Sequence, residues 1–243
     1  MRPFLLLGTR VEDSIADREY AGFLRLSGLA EADLTRVRVE KAPLGPVDLD
    51  EWSGVILGGS PFNASTPREE KSDLQRRVEA DLAALLDEVV ARDFPFLGAC
   101  YGIGTLGTHQ GGVVDPTYAE PVGPVRVELT AAGRRDPLCA GLPAAFDAFV
   151  GHKEAIAVMP PSAVLLATSG SCPVQMFRIG ENMYATQFHP ELDGQGLEER
   201  IEHYKYDGYF EPAEADNLKV MARTSPVPHA RRVLRNFVRR YRR

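Results

Sequence analysis

Short apolar runs at residues 4–7, 54–57 and 95–99 are separated by stretches with helical spacing, and each run ends at a glycine or a sharp loop. Residues 17–28 place Tyr20, Phe23, Leu24 and Leu26 on or near one helix face, with Gly28 as a stop. Residues 68–92 repeat the pattern with Leu74, Val78, Leu82, Leu85, Leu86 and Val89 at three- and four-residue intervals. Residues 37–40 read as a further strand. Strand, helix and strand in alternation imply a mainly parallel sheet with helices on both faces, an α/β fold. In such sheets reactive groups gather at the carboxyl ends of the strands. Gly58-Gly59 and Cys100 fall at two of those ends.

The pattern changes over residues 113–192. Short apolar runs at 125–129, 155–158, 163–167, 174–179 and 182–188 are separated by turns, notably Pro160-Pro161 and Gly180-Glu181-Asn182. They read as antiparallel strands forming the far edge of the sheet. A last helical stretch, about 228–241, places Val233, Leu234, Phe237 and Val238 on one face, which docks on the body.

At 243 residues, 44% hydrophobic and 26% charged, the chain suits one large domain, or one domain with a small appendage. The N-terminal apolar run is too short for a signal-peptide core or a membrane span, so a cytoplasmic protein is expected. Cys100, Cys139 and Cys172 are odd in number and far apart, with no C-x-x-C pair, which argues against a disulfide framework or a zinc knot. Charge is uneven. Nine basic residues and no acidic one lie from Asn217 onward, and they separate the overall net charge of −6 from −15 for residues 1–216. That tail lacks the interleaved aromatics of a nucleic-acid stacking surface and reads as a solvated helix on an acidic body.

The segment Phe96-Leu97-Gly98-Ala99-Cys100-Tyr101-Gly102-Ile103-Gly104 has the logic of a nucleophile elbow. A strand turns tightly into a helix, and glycines two residues either side of the cysteine relieve crowding there. The positive end of the helix favours an anion at its tip, and its free N–H groups can hold an oxyanion. Downstream, His189 and Glu191 sit two apart in Gln187-Phe188-His189-Pro190-Glu191. On extended backbone both face one way, so Glu191 can accept one imidazole N–H and leave the other nitrogen for Cys100.

Together, Gly98-x-Cys100-Tyr101-Gly102 and Gln187-Phe188-His189-Pro190-Glu191 resemble the paired signatures of the class I glutamine amidotransferases. The chain order of cysteine, histidine and glutamate fits, and Gly58-Gly59 after an apolar strand matches that family's oxyanion loop. The resemblance covers roughly residues 1–200. It implies a flavodoxin-like sheet and hydrolysis of the glutamine amide through a cysteinyl thioester. Cys100 is then the nucleophile, His189 the general base and acid, and Glu191 its orienting partner. Backbone N–H groups of Gly59 and Tyr101 form the oxyanion hole, Gly58, Ser60, Gly104 and His152 border the substrate, and no cofactor or metal is called for. Residues 1–202 form the amidotransferase-like domain, and 203–243 a C-terminal extension ending in a basic helix packed on it.

The sequence departs from the family pattern at two pocket positions. Gly104 stands where the family has a glutamine, four residues after the cysteine, and Ser60 stands in place of a proline. These departures leave the hydrolytic set intact and open the substrate to other γ-glutamyl amides. Gly151-His152-Lys153-Glu154 supplies a second histidine–carboxylate pair, at a pocket edge or in a surface turn. His109, His203 and His229 lack metal-ligand spacing. The aromatic stretch 203–210 reads as a patch packing the C-terminal helix, or as a lid with Gly208 as its hinge.

No phosphate-loop motif or second catalytic module is visible. An ammonia acceptor is therefore a separate synthetase subunit, with the basic tail as one docking surface. Three readings remain at this level: a glutaminase of the amidotransferase type, a γ-glutamyl amide hydrolase with the same three residues, and an idle binding or regulatory module.

Overall fold

The computed structural model describes residues 2–243. Strand β1 (Phe4–Gly8), helix α1 (Asp13–Ser27), β2 (Leu34–Arg38), β3 (Gly54–Leu57), α2 (Asp73–Ala91), β4 (Phe96–Ala99) and α3 (Tyr101–His109) form the alternating half. They are followed by β5 (Val113–Asp115), β6 (Glu120–Leu129), β7 (Ala145–His152), β8 (Ala155–Val158), β9 (Val164–Ser169), β10 (Met176–Ile179) and β11 (Met183–Thr186). Helices α4 (Gly194–His203), α5 (Ala215–Thr224) and α6 (Arg231–Tyr241) complete the chain.

Nine strands form one sheet in the order β2-β1-β3-β4-β11-β10-β9-β6-β7. Neighbours from β2 through β11 are parallel, and pairs from β11 onward are antiparallel. This is a flavodoxin-like α/β arrangement with an antiparallel edge. The strand period of two explains why β1, β3 and β4 read as unbroken apolar runs. Phe4 and Leu6 join a core with α1 and α6, whereas Leu5 and Leu7 join a core with α2 and α3. Both faces of β1, β3 and β4 are covered, so no position along them is free to be polar, whereas the edge strand β2 carries Thr35, Arg36 and Arg38.

Several element boundaries differ from the sequence reading. Helix α2 begins at Asp73, not residue 68, because the Ser72 side chain accepts the Gln75 N–H and caps it. Helix α1 starts earlier, at Asp13, where a carboxylate suits the positive helix end. The second strand is Leu34–Arg38, set by its register against β1, with Phe4 opposite Leu34 and Gly8 opposite Arg38. Strand β8 leaves the main sheet and pairs with β5 in a separate two-stranded ribbon. Helices α4 and α5 carry no clear sequence signal. Gly194 and Gly196 open α4, which depends on Asp193 accepting the Gly196 N–H.

Helix α6 buries Val233, Leu234 and Phe237, with the Phe237 and Phe4 ring centroids 5.9 Å apart. Among the described residues no helix is long and apolar enough to cross a membrane.

Candidate active site

Cys100 stands between β4 and α3, at the carboxyl end of the sheet. Its backbone is at φ 53°, ψ −94°, a conformation that side chains rarely adopt. Its N–H donates to the Thr186 carbonyl at 2.8 Å, which ties the turn to β11. The turn is tight enough to exclude a side chain at Gly98, where a Cβ would lie 2.6 Å from the Gly102 carbonyl carbon. Tyr101 is the first residue of α3, so its N–H has no intrahelical acceptor. Cys139 and Cys172 are buried elsewhere, and burial pushes their thiols up to about 12 and about 11.

β11 leads into His189, whose N–H is anchored on the Phe149 carbonyl of β7 at 3.0 Å. The imidazole Nδ1 lies 2.7 Å from Glu191 Oε1, and both side chains are buried. Cys100 lines the same cleft as His189, close enough for its sulfur to act on the imidazole. Burial works to lower the basicity of the imidazole, but the Glu191 carboxylate and the Cys100 sulfur carry it up to about 9. Burial pushes the Glu191 carboxyl up, but His189 and Arg200 outweigh it and hold the group below the usual carboxylate range.

The sequence reading missed what stands behind this pair. Arg200 of α4 contacts Glu191 at 2.9 Å and Glu19 of α1 at 3.1 Å. Glu19 also accepts from Arg10 Nε at 3.1 Å, and Arg10 donates to the Tyr204 hydroxyl at 2.9 Å. Arg200 Nη1 comes within 3.1 Å of His189 Nδ1. With the Nδ1 proton directed at Glu191, that nitrogen has no lone pair to offer, so Arg200 acts on the carboxylate and not on the ring. Two arginines and two glutamates thus balance behind the histidine. Glu19→Ala leaves Arg10 and Arg200 without their shared counter-charge, with the Glu19 side chain only 3% exposed. A loss of about 3–5 kcal/mol in urea unfolding is expected, and an unchanged midpoint would show the cluster to be dispensable.

Gly59 lies against the site. A Cβ there would come within 3.2 Å of His189 Cε1 and 2.5 Å of Arg10 Nη2. Gly58 instead faces Glu19, where a Cβ would lie 2.7 Å from Oε2, and it supports the buried charges without lining a cleft. His152 is buried with both ring nitrogens engaged, Nδ1 at 2.9 Å from the Glu154 carbonyl and Nε2 at 2.8 Å from Glu120. It borders a cleft, but neither ring nitrogen is free for a ligand, because the Glu154 carbonyl and Glu120 hold them.

Two clefts meet at Cys100 and share Ser60, Gly151 and Tyr209. One is the more polar, with Asn63, Lys153, Glu154 and Gln187 set among Phe62, Ile103 and Val114 beside Gly104. The other contains His189 and a largely apolar wall. Of the two readings of the aromatic stretch, the one over the site fits: Tyr204, Tyr209 and Phe210 line that cleft, and Lys153 Nζ holds the Asp207 carbonyl at 2.8 Å. Burial and the nearby Cys100 push the Tyr209 phenol up to about 12, so it stays a protonated donor.

The model of the family described as Glutamine amidotransferase class-I matches residues 26–206. A glutamine-hydrolysing GMP synthase of Thermomicrobium roseum is 34% identical over 158 residues, 61% of this chain and 26% of that protein. One of Porphyromonas gingivalis is 31% identical over 148 residues, covering 60% and 26%. The chain therefore spans about a quarter of the length of these relatives. A putative glutamine amidotransferase-like protein of Salmonella typhimurium is 28% identical over 158 residues, 65% of this chain and 64% of that one. Among solved structures, a glutamine amidotransferase of Thermotoga maritima superposes with a TM-score of 0.77 at 22% identity, covering 99% of this chain and 98% of that one. That likeness is one of fold.

Proposed function

For a chain that belongs to the class I glutamine amidotransferase family, we propose that Cys100, His189 and Glu191 hydrolyse the side-chain amide of glutamine through a cysteinyl thioester. The observation that carries this reading is the buried Glu191–His189 contact at 2.7 Å on the same cleft as Cys100. Cys100 sulfur attacks the amide carbon, and the oxyanion is held by the N–H groups of Gly59 and Tyr101. His189 protonates the departing nitrogen, and ammonia leaves. His189 then takes a proton from water, which attacks the thioester, and glutamate is released with the thiol restored. Lys153, held on the Asp207 carbonyl, and Glu154, held by the Ala64 and Ser65 N–H groups, keep spare donor and acceptor capacity and set opposite charges on the more polar cleft, matching the carboxylate and ammonium of an amino acid. The ammonia acceptor is a synthetase module outside residues 1–243, and the 203–243 extension belongs to the same folded unit as the site.

The pH profile of glutamate release tests the reading. An imidazolium is the required proton donor, and His189 keeps its proton up to about 9. Activity is therefore expected to persist through neutral pH and to fall as pH rises through about 9. Because the folded value lies above the unfolded 6.5, the stability His189 contributes is present below 6.5 and is lost as pH rises through about 9. An alkaline limb near 6.5 would remove Glu191 and Cys100 from the account of this histidine.

A γ-glutamyl amide hydrolase with the same residues is favoured by Gly104. A Cβ there would meet Ala64 Cβ at 3.5 Å and Val114 Cγ2 at 3.8 Å, ordinary contact distances, so a side chain is sterically accepted and is simply missing. Gly104→Gln is expected to lower KM for L-glutamine several-fold with kcat nearly unchanged. A change in kcat alone would place the position outside substrate holding.

A further inference from the structure

The two clefts differ in one respect that bears on the leaving group. His189 lines the apolar cleft and not the polar one. The departing nitrogen must receive its proton from His189, so it leaves toward the apolar cleft, while the glutamyl portion occupies the polar cleft beside Gly104 and Glu154. Ammonia needs no apolar surface. Yet this cleft is walled by Val122, Val150, Leu192, Leu197, Ile201 and Phe210. Its two arginines are already engaged, Arg10 on Glu19 and Tyr204, Arg200 on Glu19 and Glu191. Both arginine charges are balanced by these glutamates, so the cleft offers no surplus cation to a carboxylate on the leaving amine.

We infer that the cleft on the His189 side of Cys100 is an amine subsite, and that the enzyme cleaves secondary γ-glutamyl amides whose nitrogen carries an uncharged apolar group. This rests on the thioester reading above. Cys100 sulfur bonds to the amide carbon, the C–N bond breaks, and the nitrogen takes the His189 proton and departs as a free amine. Water then adds to the thioester as its proton passes to His189. The C–S bond breaks, giving glutamate and the starting thiol–imidazole pair. No oxidant or further reactant enters.

The test compares L-glutamine with γ-glutamyl-methylamide, γ-glutamyl-pentylamide and γ-glutamyl-norleucine, the last two differing only by a carboxylate. Burial of apolar methylenes raises kcat/KM by up to roughly fourfold each, so the pentylamide is expected to exceed the methylamide by at least about tenfold. The norleucine conjugate should fall at least about tenfold below the pentylamide, because its carboxylate leaves water for an apolar cleft whose arginine charges are already balanced by Glu19 and Glu191. Val122→Phe fills the cleft and should erase the pentylamide preference over the methylamide. Phe210→Ala opens the wall and should lower the preference without that filling. Thermal unfolding of both variants confirms that they fold. Cys100-dependent release from glutamine with equal or no release from the methyl and pentyl amides overturns the subsite and leaves the thioester reading standing. Release from none of the four overturns both.

Discussion

Cys100→Ala is expected to lower glutamate release from L-glutamine on the order of 10⁴–10⁶-fold, because no other group can form the thioester. Cys139 and Cys172 cannot substitute: both are buried away from His189, with their thiols held in the protonated form by that burial. The fold should survive, since Cys100 is partly exposed and its backbone N–H still reaches the Thr186 carbonyl at 2.8 Å. The strained φ of 53° makes a second, independent readout. Glycine tolerates positive φ and alanine does not, so Cys100→Gly should unfold at a higher temperature than Cys100→Ala, both being inactive. An elbow strained for function predicts this separation of stability from activity. Equal melting temperatures would mean that the turn carries no strain.

Glu191→Gln is the second large effect, about 10³–10⁴-fold in kcat. The amide keeps the size of the carboxylate but removes its charge. It can turn an N–H toward His189 Nδ1, which favours the opposite tautomer and turns a proton toward Cys100 at the wrong stage. The alkaline limb of the pH profile should also move down from about 9, because the Glu191 charge is what raises the imidazole against burial. Arg200 meanwhile loses its 2.9 Å partner and keeps only Glu19. The Glu191 carboxyl lies below its unfolded value, so the stability it contributes is present above the usual carboxylate range and is lost as pH falls through the folded value. The variant should therefore show a weaker acid dependence of unfolding than the parent. A kcat within tenfold of the parent would remove Glu191 from the catalytic set.

The parallel half of the sheet was legible because its physics is local. Strands buried on both faces must be apolar at every position, and residues 4–7, 54–57 and 96–99 are. The elbow was legible for the same reason, since the approach of Gly98 to Gly102 is fixed within a few residues of chain. The charged cluster was not. Arg200 finds Glu19 across 181 residues, and nothing in a single sequence distinguishes a charge that will meet such a partner from one on a solvated face. His152 misled in the other direction. Its neighbour Glu154 looks like a partner, but the carboxylate that holds it is Glu120, 32 residues away, and Glu154 turns instead to the backbone N–H groups of Ala64 and Ser65. Helix α4 escaped notice because glycines open it, and it needs the core under Leu197 and Ile201 to form.

The central claim is a glutamyl thioester on Cys100. Enzyme mixed with excess L-glutamine, quenched in acid within one turnover and digested, should show a glutamyl adduct on the peptide carrying Cys100 and on no other. The adduct should be absent from Cys100→Ala. Release of glutamate with no adduct on that peptide, or with an adduct on Cys139 or Cys172, would contradict the account.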